Sequence, residues 1–198
     1  EVSDYALSIL EKVVHVDIPQ IVSVVNPNIL IKIVKIISSN PGMLIDYSNL
    51  AQAMETDSPV SRVRISNYVG YLEDAYIVTL GYNYSRSAMV SERKLKKAYL
   101  SNPSLSMISE PKPELGKLAE QTFFLGLRSR FFWRSPQKQE VDIVLEQTGH
   151  PFPVEVKYRS HINNSDLKSL KSFMERFNVS QGVVITKDSE RTVETSAG

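Results

Sequence analysis

An acid interrupts the apolar run Val141-Asp142-Ile143-Val144-Leu145, and thirteen positions after it comes Glu155, in Val154-Glu155-Val156-Lys157. Both segments read as β-strands, and each puts charge where a strand normally buries hydrocarbon. An isolated buried carboxylate is strongly disfavoured, so a chain that carries one pairs it, ligates a metal with it or uses it in chemistry. Glu155 and Lys157 are two apart and share one strand face, with Val154 and Val156 on the other. Asp142, on the neighbouring strand, meets Glu155 across a hairpin. Glu120 borders the inward face of the preceding helix and is expected to approach from its edge. Hard oxygen ligands of this kind suit Mg²⁺ or Mn²⁺. A metal there polarises a phosphoryl oxygen and acidifies a bound water, while the lysine orients that water or stabilises developing charge. The residues therefore outline a metal-dependent phosphodiesterase site. The bland alternative is a structural acid–lysine pair in a partly wet sheet.

The elements that must hold these residues are legible from periodicity. A helix is expected from Glu114 to about Ser129, then an apolar strand Arg130–Arg134 with Trp133 in the core. Strands come next at Gln139–Gln147 and Phe152–Tyr158, turned by Gly149-His150-Pro151. A helix at Ser165–Phe177 carries Leu167, Leu170, Phe173, Met174 and Phe177 on one stripe, and Gln181–Thr186 is a buried strand. The order is α-β-β-β-α-β, with the second and third strands a hairpin and the last crossover right-handed to a parallel strand. Lys168, Lys171 and Arg176 read as a solvated helix face. His15, His150 and His161 are isolated.

The first half reads as helical. Tyr5–Val16 carries a short apolar stripe, and Pro19 and Pro27 punctuate the stretch after it. Ile29–Ile37 is a buried helix ended by Asn40-Pro41-Gly42, and Tyr47–Met54 a short helix. Thr56-Asp57-Ser58-Pro59 is a turn that starts a longer helix, Val60–Ala75, with Ile65, Val69 and Leu72 inward. Tyr76–Leu80 and Val90–Leu100 are expected as two strands around a polar turn. Helix, short helix, turn, longer helix and ribbon is the order of a winged helix-turn-helix, whose third helix enters a DNA groove and whose ribbon touches phosphates. Arg62, Ser66 and Gly70 line up on the outer face of the longer helix, with Arg64 and Tyr68 as a second pair. Arg86, Arg93, Lys94, Lys96 and Lys97 decorate the ribbon. The competing reading is a scaffold with solvated charges.

The bulk numbers bound the rest. The chain has 198 residues, 42% of them hydrophobic, enough for one large or two small packed domains. Lys+Arg number 23 against 22 acids, for a net charge of +1. Between Val60 and Leu100, however, seven basic residues face three acids, a local patch fit for a polyanion. The absence of cysteine excludes disulfides and thiol chemistry. No apolar run is long enough for a membrane span and no signal layout opens the chain, so a soluble, cytoplasmic protein with no membrane partner is expected. The expected divisions are 1–26, 27–108 and 109–198, the last after a Pro-rich linker.

The signature Glu120 … Asp142 … Glu155-Val156-Lys157 resembles the PD-(D/E)XK nuclease superfamily. Gly116-Lys117-Leu118-Ala119-Glu120, Phe132-Trp133-Arg134, Glu140-Val141-Asp142, Pro153-Val154-Glu155-Val156-Lys157 and Ile185-Thr186-Lys187-Asp188 resemble one segment more closely. It is the C-terminal region of a family of bacterial and archaeal AAA-type ATPases of poorly defined function. The resemblance covers roughly residues 29–188, and in that family a winged helix precedes the nuclease-like domain. It implies an α+β chain: a winged helix-turn-helix followed by a restriction-endonuclease-like α/β domain with a central mixed sheet. It implies that Asp142 and Glu155 ligate Mg²⁺ or Mn²⁺ with the Val156 carbonyl. It also implies that Lys157 handles the attacking water and that Glu120 has a supporting or second-metal role. Arg134 and Tyr158 become neighbours that orient a phosphate. The DNA contacts would then be Arg62, Arg64, Ser66, Arg93, Lys94, Lys96, Lys97 and Arg134, on double-stranded or branched DNA. Many nucleases of the superfamily work as homodimers, though no residue here marks a dimer face.

The sequence departs from the family at two points. No Gly-x-x-x-x-Gly-Lys-Ser/Thr loop is present, so ATP would bind only in an ATPase part that this chain lacks. Residues 1–19 are then expected to resemble that module's helical tail. The chain also stops at Ser196-Ala197-Gly198, before a further apolar strand. Three functions stay open: a metal-dependent DNA endonuclease, a catalytically silent DNA-binding module of the attached ATPase, and a protein-interaction scaffold.

Overall fold

The computed structural model describes residues 2–24, 26–54, 59–93, 95–109, 111–147, 149–188 and 192. The expected turn at Thr56-Asp57-Ser58, Lys94 and the Ser196-Ala197-Gly198 terminus lie outside the described residues. In chain order the helices are α1 (Val2–Lys12), α2 (Ile18–Ile21), α3 (Pro27–Ser39), α4 (Tyr47–Ala53), α5 (Arg62–Asp74), α6 (Ala88–Arg93), α7 (Leu115–Gly126) and α8 (Lys168–Phe177). The strands are β1 (Met43–Leu44), β2 (Val78–Asn83), β3 (Lys96–Leu100), β4 (Phe131–Arg134), β5 (Glu140–Gln147), β6 (His150–Lys157) and β7 (Val183–Thr186). The fold is mixed α+β, with the described strands hydrogen-bonded in the order β1-β3-β2-β4-β5-β6-β7.

Two compact units divide the chain. The first comprises residues 1–80 and 95–121, and the second residues 81–94 and 122–198. Both 1–26 and 109–121, which sequence reading set apart, fall in the first unit.

In the first unit, Ala6, Leu10, Val14 and Ile18 are buried at a strict four-residue spacing. The stripe ends at Ile18, but the helical backbone continues past Pro19, which was expected to punctuate the chain. A π-helical segment, Val13–Asp17, widens the turn, and Pro19 sits at the start of α2, where its missing N–H matters least. In α3 the Asn26 side chain accepts from the Asn28 N–H at 3.1 Å and Pro27 opens the helix. Asp46 caps α4 through the Ser48 and Asn49 N–H groups. Ser61, rather than Pro59, marks the start of α5, accepting from the Arg64 N–H at 3.2 Å. Ile65, Val69 and Leu72 of α5 are buried as expected, and so is Tyr68, which therefore does not join Arg64 on the outer face. β1 pairs antiparallel with β3.

The expected strand Val90–Leu100 divides. Its first part is α6, whose opening turn is closed by the Val90 and Ser91 N–H groups on the Ser87 carbonyl. Only Lys96–Leu100 is strand. The local apolar residues Met89 and Val90 are exposed, so the segment lacks the buried alternation a strand needs.

In the second unit the strand and helix order matches expectation. β4–β5 and β5–β6 are antiparallel and β6–β7 is parallel. Tyr84, Trp133, Val141, Val144, Leu170, Phe173, Met174 and Phe177 form one core under α8. The rings of Phe173 and Phe177 lie 4.4 Å apart, and Trp133 meets Phe173 edge-on at 5.4 Å. Asn178 closes α8 in the left-handed region, φ 55°.

Candidate functional site

The β5–β6 ladder runs from Gln147–His150 to Ile143–Val154. Continued by one step, that register sets Asp142 opposite Glu155 on the same face. Beyond Val154 the strands change partners. β6 continues beside β7, with Glu155 opposite Val184 and Lys157 opposite Thr186, while β5 continues beside β4, with Val141 opposite Trp133. The sheet forks between Asp142 and Glu155, and Asp142 bridges the fork. Its Oδ2 accepts the Val156 N–H at 2.9 Å.

Asp142 is 9% exposed and Glu155 3%. The Lys157 ammonium reaches Glu155 Oε1 at 2.5 Å. Burial acts to lower the Lys157 pKa. The Glu155 charge and hydrogen bond, with further attraction from Asp142 and Asp166, outweigh it and hold the ammonium above its usual range. The two carboxylates and the lysine thus share one electrostatic environment. Asp166, in the 3-10 turn Asn164–Leu167, is a member that sequence reading missed. It accepts the Asn163 N–H at 2.8 Å and pairs with Arg159. That hydrogen bond, then Arg159 and Lys157, holds its carboxyl below the usual range. The Asn163-x-x-Asp166 capping box was the available signal.

Glu120 is placed elsewhere. It belongs to the first unit, 6% exposed, where its Oε1 accepts from Lys97 Nζ at 2.7 Å and from the Tyr99 hydroxyl at 2.9 Å. Lys117 stands 3.7 Å from Oε2. Among the described residues, no three His, Asp or Glu side chains gather into a group that could hold a metal. Within the first unit Glu120 is held in a buried ion pair with Lys97. Lys97 is corrected with it: at 1% exposure it is a core cation, closed to phosphates. The signal was parity, because Lys97 and Tyr99 share one face of β3 and both need a buried acceptor.

The other expected contacts are scattered. Arg62 and Arg64 are exposed on α5, and Arg93 is exposed on α6. Ser66 is half-buried, and its hydroxyl lies against the Tyr47 phenol. Lys96 is half-buried on β3. Arg134 pairs with Glu140 at 2.5 Å, and its backbone N–H and carbonyl bond the Asn83 side chain at 3.0 Å each. At Val156, the residue expected to offer its carbonyl to a metal, the backbone N–H is tied to Asp142. No described helix is long and apolar enough to cross a membrane.

In donor chemistry the two carboxylates on facing strands fit a hard cation, since Mg²⁺ commonly takes one or two carboxylates and fills its shell with waters and substrate oxygens.

Comparison with known proteins gives two family models. Residues 116–196 match the domain of unknown function DUF4143, a domain known from AAA-ATPase-associated proteins. No curated protein matches the chain, and no solved structure does. Residues 2–110, more than half of the 198, match the family described as domain of unknown function DUF8612, and the chain belongs to that family.

Proposed function

We propose that the chain is the nucleic-acid-processing region of an AAA-type ATPase, and that the fork in its second unit hydrolyses DNA phosphodiesters. The observation that carries this reading is the meeting of buried Asp142 and Glu155 where β5 and β6 part, with Lys157 2.5 Å from Glu155. Asp142 and Glu155 would hold Mg²⁺ or Mn²⁺. When bound, such an ion supplies charge to a phosphoryl oxygen and acidifies a water. Lys157 stays protonated and donates to the phosphoryl oxygens or orients the nucleophile. The Val156 N–H fixes Asp142, so the carboxylate needs no reorganisation when substrate arrives. The match to a domain of ATPase-associated proteins supports the attachment to an ATPase.

In the same proposal the second unit is a PD-(D/E)XK-type domain and the first a winged helix. The order α3-β1-α4-α5-β2-α6-β3, with β1 against β3, supports the latter, with α6 inserted where a plain wing has only a turn. Exposed Arg62 and Arg64 on α5 would track a duplex backbone.

A second reading has its own observation. Lys157 on Glu155 Oε1 and the Val156 N–H on Asp142 are bonds made within the protein, as a silent scaffold would keep them. Calorimetric titration of Mn²⁺ into wild type and into an Asp142→Ala, Glu155→Ala double variant separates the two. Binding that vanishes in the double variant, with metal-dependent DNA cleavage lost in Asp142→Asn, supports the nuclease. Wild type that neither binds Mn²⁺ nor cleaves DNA leaves the scaffold.

A further inference from the structure

Also in the second unit lies an open pocket of about 500 Å³. It is framed by the Asn164–Leu167 turn and the first two turns of α8. Gln139, Asn164, Ser165, Lys168, Lys171, Ser172 and Glu175 line it, so every lining side chain is polar. Lys168 and Lys171 are three apart on α8 and stand on neighbouring positions of one face. The Ser172 hydroxyl donates to Gln139 Oε1 at 2.8 Å. With its oxygen engaged, Gln139 offers the pocket its amide NH₂. Two ammonium groups, two amides and a hydroxyl at Ser165 therefore face one carboxylate, Glu175. This donor excess selects an anion whose oxygens accept several bonds at once, which is the chemistry of a phosphate.

One turn of chain links the pocket to the fork. Asn164 and Ser165 line the pocket, and the next residue, Asp166, is the one that attracts Lys157 of the fork. An anion held by Asn164 and Ser165 would therefore sit on the same turn that carries Asp166. We infer that the pocket holds a backbone phosphate of the same nucleic-acid strand whose scissile phosphodiester lies at the fork. The inference rests on the nuclease reading above and adds how the strand is gripped. Lys168 and Lys171 neutralise the phosphate and Gln139, Asn164 and Ser165 orient it, without reading bases.

The test is the salt dependence of binding of a labelled DNA duplex, and of its separated strand, followed by fluorescence anisotropy without divalent metal. Salt runs from about 50 to about 200 mM, where phosphate contacts dominate the response. A Lys168→Ala, Lys171→Ala variant is expected to bind more weakly. Its plot of log affinity against log salt should flatten by about 0.9 on duplex or about 0.7 on single strand, the loss of one phosphate. Glu175→Gln removes the pocket's one anion and should tighten binding, a change that damage to the fold would not produce. Lys12→Ala, on α1, should leave the slope unchanged. If wild type binds while both pocket variants match it, the pocket assignment falls and the fork reading stands. If wild type binds neither probe at any salt, both fall together.

Discussion

Glu120→Ala should destabilise the protein severely, and the reason lies in the first unit. Its carboxylate is the counter-charge of Lys97, 2.7 Å away and 1% exposed, and it accepts the hydroxyl of fully buried Tyr99. Lys117 cannot take over, because it is a cation. Removing one partner of a buried ion pair costs about 3–5 kcal/mol, since the remaining charge is stranded out of water. The orphaned Tyr99 hydroxyl adds part of a further ~1–3 kcal/mol, not additively, because the three groups form one network. Against a usual stability of about 5–15 kcal/mol, that is a large share. With a urea slope of roughly 2 kcal/mol per molar, the unfolding midpoint of wild type and variant should differ by about 2 M. Circular dichroism in urea measures it. Lys97→Met combined with Glu120→Leu should recover most of the loss, because an apolar replacement of both charges strands neither. A loss below about 1 kcal/mol in Glu120→Ala would refute the buried-pair reasoning. Loss of Mn²⁺ binding in a Glu120→Gln protein of unchanged stability would instead return Glu120 to the metal.

Gly42→Ala should disturb the same network from the backbone side. Gly42 has φ +75°, and a Cβ there would lie 2.7 Å from Glu120 Oε1 and 3.0 Å from the Tyr99 ring. The left-handed backbone alone costs roughly 1–2 kcal/mol, and the clash adds to it, so a lower urea midpoint than wild type is expected. Phe173→Ala should cost about 3–5 kcal/mol in the second unit, where the ring packs on Trp133, Tyr84 and Phe177, with the Trp133 fluorescence transition as the readout. Burial raises the Tyr47 pKa, opposed by the Ser66 hydrogen bond, aided by Glu73 and opposed by Arg62. A raised folded-state value means that the stabilisation is intact below the unfolded value of about 10 and is lost as pH rises through the folded value. Wild type should therefore lose stability across that alkaline window more steeply than Tyr47→Phe, and equal slopes would sink the assignment.

Most elements of the second unit were legible because their patterns repeat a local period. The α8 stripe of Leu170, Phe173, Met174 and Phe177 and the two-residue spacing of Glu155 and Lys157 need no knowledge of distant residues. The strand pairing came from the short hairpin turn at Gly149, which leaves β5 and β6 no partners closer than each other. Other stretches were less legible because their local signals were mixed. Ser85 to Leu95 has serines, charges and the apolar residues Ala88, Met89, Val90 and Leu95 in no fixed period, and nothing in it distinguishes a strand from α6. Pro19 read as a stop because the four-residue stripe through Val14 and Ile18 is carried by a widened turn, which leaves no mark on composition.

Glu120 shows why a candidate site is harder to read than a fold. Its position on α7 correctly indicated an inward-facing acid, and the spacing to Asp142 and Glu155 fitted a familiar signature. Spacing fixes which face a side chain occupies but not which distant element it meets. A buried acid needs a cation or a donor, and two sets of partners satisfied that need equally on paper: a metal shared with the fork, or Lys97 and Tyr99 on β3. The second set was hidden in Arg93-Lys94-Leu95-Lys96-Lys97, a run that reads as a solvated cationic stretch. Within it, only strand parity singles out Lys97, which shares a face with Tyr99. Glu120 is held by that pair, while Asp142 and Glu155 at the fork have Lys157 and Asp166 as their further charges. A third metal-binding carboxylate is then unnecessary, because a small hard cation commonly completes its shell with water and substrate oxygens. The consequence is that Glu120 and Asp142 should separate experimentally: the first governs whether the protein stays folded, the second whether the folded protein holds a metal.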